Sequence, residues 1–221
     1  MRRVIAIDGP AASGKSSTAA AVARALGAHY LDSGALYRGL TRVALDLNSL
    51  DPSSIAVEAG RRNLGLYHGG REIVPFLDGR PAEPVIRSAD VTAAVSAVAA
   101  IGPLRDWVND RLRAAASDDW VLVLDGRDIG TVVFPQALLK VFLTATPEAR
   151  ARRRLAQRGE ETDDRMLALE TERLAARDAL DAGREIAPLR QAPDAVLLDT
   201  TAMGFQDQVA RIVVLARNAL S

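Results

Sequence analysis

Apolar residues in this chain come in short unbroken runs, separated by longer stretches in which they recur every three or four positions. The runs at 4–7 (Val-Ile-Ala-Ile), 120–124 (Trp-Val-Leu-Val-Leu) and 139–143 (Leu-Lys-Val-Phe-Leu) are too brief for helices, so they predict buried strands; 29–31 and 195–199 read the same way. Helices are predicted at 15–26, an alanine-rich segment that stops at Gly27, and at 33–47, where Leu36, Leu40, Val43 and Leu47 form one stripe. Further helical stretches lie at 52–62, at 89–100 and 104–116 with Gly102-Pro103 between them, and at 209–220. An arginine-rich helix starts at Pro147, followed by a charged stretch around 158–165 and a helix to about 180. Two runs, 64–67 and 72–77, flank His68-Gly69-Gly70-Arg71 and predict a hairpin, a small antiparallel insertion. Strands alternating with helices imply an α/β fold, a parallel sheet covered on both faces.

Composition narrows the chemistry. A length of 221 residues, 48% hydrophobic, suits one core with insertions, and there is no internal repeat or low-complexity linker. Formal charge is zero, so no whole-protein field draws nucleic acid or an anionic membrane. No apolar run approaches the roughly 20 residues that span a bilayer, and Met1-Arg2-Arg3 leads straight into the first strand without a signal peptide. The expectation is a soluble, cytoplasmic, single-domain protein acting on small molecules. There is no cysteine, and His29 and His68 are the only histidines, which leaves oxygens, lysine and arginine to carry any reaction. Lysine occurs only at 15 and 140, the remaining basic residues being arginine.

Lys15 closes the pattern Gly9-Pro10-Ala11-Ala12-Ser13-Gly14-Lys15-Ser16, set between the first strand and the first helix. A glycine-rich loop in that position turns backbone N–H groups and the positive helix end toward a phosphate; Lys15 reaches the outer phosphates and the Ser16 hydroxyl is placed to ligate Mg²⁺. The candidate ATP site is therefore Gly9, Pro10, Ala11, Ala12, Ser13, Gly14, Lys15, Ser16 and Ser17. A guanine-type Asn-Lys-x-Asp signature is absent: Lys140 is followed by Val141-Phe142, which excludes a GTPase. Kinases of several kinds and a non-catalytic nucleotide-binding regulator stay open on the loop alone.

Ligands of open parallel sheets bind beyond the carboxyl ends of the strands. There the chain carries Asp32-Ser33-Gly34-Ala35-Leu36-Tyr37-Arg38 and Asp125-Gly126-Arg127-Asp128-Ile129-Gly130-Thr131, arginines and carboxylates facing the loop. Asp32 or Ser33 also suits a helix N-cap, and Asp125-Gly126 a turn.

With the loop, these stretches resemble the bacterial cytidylate kinase family of nucleoside monophosphate kinases, as do 86–99, Arg177-Asp178 through Pro188-Leu189, and Asp194 through Thr201. The resemblance implies a P-loop fold with a five-stranded parallel sheet, helices on both faces, a monophosphate-binding insertion and a helical lid. Laid on this chain it gives one kinase domain over 1–221, with a core of 1–50, 90–146 and 189–221, an insertion at 51–89 and a lid at 147–188. It implies transfer of the γ-phosphate of ATP to CMP or dCMP, with Mg²⁺, by a monomer; the rivals are a UMP-, AMP- or shikimate-type kinase. The implied CMP site is Ser33, Arg38, Ser96, Arg105, Arg127, Asp128, Asp181 and Arg184. Arg38, Arg127 and Arg184 hold its phosphate, Ser33, Ser96, Arg105 and Asp128 the base, and Asp181 the sugar; Lys15, Arg127 and Arg38 are the implied catalytic set. Among Arg150, Arg152, Arg153 and Arg154 at least one is expected on phosphate. Leu112-Arg113 and Ala182-Gly183 depart from the family's usual residues.

Overall fold

The computed structural model describes residues 3–160 and 163–221; part of the 158–165 stretch and the first two residues lie outside them. Five parallel strands form the centre: β1 (Val4–Asp8), β2 (His29–Asp32), β6 (Leu122–Gly126), β7 (Leu139–Thr144) and β8 (Val196–Asp199), in the order β2-β6-β1-β7-β8. Along β1 every residue is buried, but alternate residues serve opposite faces. Val4 and Ala6 join the core beneath α2 (Ser33–Leu47), while Ile5 and Ile7 pack with α1 (Lys15–Leu26) and α9 (Phe205–Leu220). That double burial is why the strand reads as an unbroken apolar run.

The hairpin β3 (Gly65–Gly69) and β4 (Glu72–Leu77) is antiparallel as expected, but it is not separate from the main sheet. β4 adds to β2 in parallel through Tyr30↔Glu72 and Leu31↔Ile73, and a two-residue β5 (Arg80–Pro81) pairs back on β4. His29 and His68 both pack on Trp120, at 5.1 and 5.9 Å between ring centroids, where hairpin meets core. Trp120 therefore caps this joint and β6 starts two residues later than its hydrophobicity predicts. α3 (Pro52–Arg61) precedes the hairpin and a short α4 (Glu83–Ile86), which the pattern did not reveal, follows it.

Two more corrections are local. Leu47 ends α2 partly exposed, so the buried stripe stops at Val43. Gly102-Pro103 does not separate two helices; it forms the first turn of α6 (Gly102–Ala114), where the missing proline N–H has no helical partner to lose, and α6 meets α5 (Ala89–Val98) at 103°. The Arg-rich helix α7 (Pro147–Arg158) and the long α8 (Asp164–Ala182) pack together beside the phosphate loop. No single helix among the described residues is long and apolar enough to cross a membrane.

Candidate active site

The loop 9–14 leaves β1 and enters α1 through Gly14, whose φ of 86° is left-handed. Gly9 has a different constraint: a Cβ there would lie 2.1 Å from the Leu143 carbonyl oxygen of β7, so only glycine lets the loop start this close to the sheet. α1 begins with no side-chain cap and no acidic residue in its first turn. Its first N–H groups are left for an anion.

Lys15 is buried and folds back over the loop, its Nζ 3.1 Å from the Pro10 carbonyl oxygen. Burial, then the Arg127 charge, holds its ammonium well below the usual lysine range. Ser16 and Ser17 are exposed, and Ser16 Oγ donates to Asp125 Oδ2 at 2.6 Å. Asp125 also accepts from Tyr30 Oη at 2.9 Å, and its backbone oxygen accepts from Ser33 Oγ at 2.6 Å. Burial, then the Asp32 charge, raises the Asp125 carboxyl above its ordinary range. In sequence Asp125 reads either as a carboxylate facing the loop or as a turn residue; its place at the tip of a buried strand, bonded to Ser16, favours the first. Ser16 and Asp125 form an all-oxygen pair beside the loop, a donor set that suits Mg²⁺, an ion held through one or two carboxylates plus substrate phosphates. Among the described residues no group of three or more His, Asp or Glu could hold a metal by itself.

The acceptor residues come from four helices and the turn after β6. Ser33 opens α2, and Asp32, not Ser33, caps that helix by accepting from Gly34 N at 2.8 Å. Arg38, one turn on, donates to Thr92 Oγ1 at 2.9 Å. Arg105 on α6 is buried, bonds the Ala99 carbonyl oxygen at 2.8 Å and pairs with Asp128 at 2.5 Å. Burial works against its charge, but Asp128, Tyr37 and Asp181 together raise it. Asp128 uses Oδ2 for this pair. Ser96 stands half-buried on α5, one turn before Ala99. Arg127 Nε pairs with Asp181 Oδ2 at 2.9 Å, and Arg184 Nη2 bonds the other Asp181 oxygen. Asp181 sits on α8 and Arg184 just past its end, so α8 carries this wall of the site.

Asp8 ties the two halves together. Its carboxylate accepts from Ile129 N at 2.9 Å and Gly130 N at 2.7 Å, holding the single π-helical turn Ile129–Val133 that follows Asp128. Burial raises its pKa to about 6 in spite of those bonds.

Positive charge is in excess at the centre. Burial, then Arg87 and Arg177, lowers Arg38 to about 10; burial, then Arg127, lowers Arg177. Arg177 also depresses Lys15, and Arg154 adds to the repulsion on Arg38 and Arg177. Arg177 Nε is buried with no hydrogen-bond partner among the described residues. In sequence Arg177 stands out only as part of a motif, although its spacing to Asp181 places both along one face of α8. Of Arg150, Arg152, Arg153 and Arg154 on α7, Arg154 alone faces this cluster. Arg150 is bound to Asp178 and to the carbonyl oxygens of Ala11 and Ala145, Arg152 to Glu148 on the surface, and Arg153 to Thr200. Lys140 is held by Pro135 and Asp194. Of the departures, Leu112 lies in the core and Gly183 caps α8.

Known proteins share this arrangement of sequence. Residues 5–218 match the family model described as cytidylate kinase. A cytidylate kinase of Mycobacterium avium (strain 104) is 44% identical over 207 residues, 90% of this chain and 89% of that one. One from Pelodictyon phaeoclathratiforme is 43% identical over 225 residues, 98% of this chain and 95% of that one. Among solved structures, an uncharacterized protein from Eubacterium ventriosum covers 98% of this chain and 99% of its own at TM-score 0.52 and 10% identity, a likeness of fold.

Proposed function

The chain belongs to the cytidylate kinase family, and from that premise we propose that it transfers the γ-phosphate of ATP to CMP or dCMP, giving ADP and CDP or dCDP. The observation that carries this reading is the cluster of Lys15, Arg38, Arg154 and Arg177 around Arg127: burial, then neighbouring guanidinium charges, lowers Lys15, Arg38 and Arg177, a grouping that is costly without a polyanion. Phosphoryl transfer asks a protein for positioning and charge neutralisation, and two phosphates meeting in this cluster receive both.

The donor triphosphate lies on the loop amides and Lys15. Ser16 and Asp125 would hold Mg²⁺, which supplies charge neutralisation on the donor oxygens when bound. Arg38 and Arg127 grip the acceptor phosphate, whose oxygen is the nucleophile; it is already largely anionic at neutral pH, so no general base is needed. Cytosine presents an N4 amino donor beside N3 and O2 acceptors. Asp128 has an oxygen beyond its bond to Arg105 for that amino group, and Arg105 with Ser96 supplies donors. Uracil would set O4 against the carboxylate, so CMP is preferred to UMP. Asp181, between Arg127 and Arg184, serves the sugar. The reading includes the 51–89 insertion over the acceptor, the 147–188 lid over the donor, and a cytoplasmic monomer.

The test is ADP release from ATP with CMP, dCMP, UMP, AMP and shikimate offered in turn. Rapid release with CMP and dCMP and little with the others is expected; equal release with shikimate or AMP would overturn the acceptor assignment.

A further inference from the structure

Ala11 sits at the outer bend of the phosphate loop, and both of its backbone polar groups are held by side chains from elsewhere in the chain. Its N–H donates to Asp178 Oδ1 at 2.9 Å, and its carbonyl oxygen accepts from Arg150 Nη1 at 2.9 Å. Arg150 Nη1 also reaches Asp178 Oδ2 at 2.5 Å, which closes a three-membered ring of loop, α7 and α8. Arg150 Nε anchors the ring to the Ala145 carbonyl oxygen just beyond β7, at 3.1 Å. The Arg150 side chain is 6% exposed and that of Asp178 17%, so these bonds act in a medium where they are strong and specific. Beneath the ring, Ala11 packs with Ala151, Leu155, Leu167 and Leu174 of the same two helices. The next residue, Ala12, holds a left-handed φ of 57°, which marks this bend as a conformation imposed by its surroundings.

Asp178 is also the immediate neighbour of Arg177 and lies one turn before Asp181 on the same helix. α8 thus meets the loop at Asp178 and the acceptor residues at Arg177, Asp181 and, through Asp181, at Arg127 and Arg184. A helix transmits such a displacement along its length because its internal hydrogen bonds leave little slack.

We propose that Arg150 and Asp178 are positioning residues that couple occupancy of the phosphate loop to the acceptor side chains on α8, so that the donor nucleotide bound at one end tightens the site for the acceptor at the other. The inference rests on the two-nucleotide reading above and adds the link between its halves. By reciprocity, the acceptor tightens the donor by the same factor.

The experiment titrates CMP calorimetrically into the full-length chain, without and with saturating Mg²⁺ and a non-hydrolysable ATP analogue. In the unaltered protein the analogue tightens CMP roughly tenfold, within the usual range of such couplings. In Asp178→Asn, which keeps an acceptor for Ala11 N–H but offers Arg150 no charge, the factor falls below about twofold while each ligand alone binds within about threefold of its original affinity. Arg150→Lys, whose single nitrogen cannot hold both carbonyls and Asp178 together, loses the coupling in the same way and serves as the second, independent variant. Arg152→Ala, on the exposed face of α7, keeps it. A factor unchanged in both ring variants, or independent binding in the unaltered protein, would overturn the coupling with the two-nucleotide reading intact. If CMP does not bind the unaltered chain at all, that reading falls and the coupling with it.

Discussion

The donor and acceptor halves of this site are built in opposite ways. The donor half is one contiguous segment: nine residues whose backbone amides, two constrained glycines and one lysine make a cradle at the start of a helix. The acceptor half draws on α2, α5, α6, α8 and the turn after β6, and its charges are held by each other: Arg105 on Asp128, Arg127 and Arg184 on Asp181. A backbone cradle is specified by chain geometry and requires glycine where the loop starts against the sheet at Gly9 and enters the helix at Gly14. A side-chain cradle is specified by ion pairs that cost several kcal/mol to break from one side when buried, so its residues hold position before any substrate arrives. The first recognises phosphate in general; the second can recognise one base.

The sharpest way to break the contrast is at the one cation of the donor loop. Lys15→Ala should lower turnover by roughly a thousandfold or more, since a buried cation on the developing charge has no substitute among neutral amides. Steady-state ADP release checks it, and near-normal turnover would remove the loop from the reaction.

Next in size is the joint between the halves. Asp8 ionises near its ordinary 3.8 in the unfolded chain and at about 6 when folded. Between those values the folded protein binds the extra proton, so Asp8 makes stability fall as pH rises from about 4 to about 6, by about 3 kcal/mol in all. Asp8→Asn should lose that slope. Urea unfolding of both proteins across the window reads it; parallel curves would mean the joint carries no such strain.

Smaller again is base selection. Asp128→Asn keeps the size of the side chain but turns an acceptor into a group that accepts or donates, so the CMP-to-UMP ratio of kcat/KM should fall roughly ten- to a hundredfold. An unchanged ratio would take Asp128 off the base. The smallest effect is predicted for Arg87, which bridges Asp32 and Glu83 with 45% of its side chain exposed. A pair so accessible contributes at most about 1 kcal/mol, so Arg87→Ala should change KM for CMP less than about fivefold; a larger change would place Arg87 inside the acceptor site.

The same contrast explains what could be read from the sequence. The donor loop was legible because its signal is local: glycine spacing, a flanking strand and helix, and a lysine in a chain that has only one other. β1, β6 and β7 were legible because double burial leaves unbroken apolar runs, while the less buried β2 and β8 were legible as short apolar segments between helices. Contacts between distant segments left no such trace. Trp120 looks like a strand residue until His29 and His68 pack on it, and the hairpin looks independent until Tyr30 and Leu31 pair with β4. Asp125 reads equally as a loop-facing carboxylate or a turn residue until Ser16, more than a hundred residues away, bonds to it. Arg150 and Arg154 sit on one helix and differ in role only because α8 packs beside them. The acceptor residues themselves came from resemblance, and the structure brings Arg105 with Asp128, and Arg127, Asp181 and Arg184, into direct contact; Ser33 meets them through the Asp125 backbone.

The most direct measurement follows ATP labelled in its γ-phosphate through a single turnover with CMP. The account predicts the label in the β-phosphate of CDP, formed at the rate ADP appears and absent without CMP. Label released as inorganic phosphate at the same rate with or without CMP would contradict it.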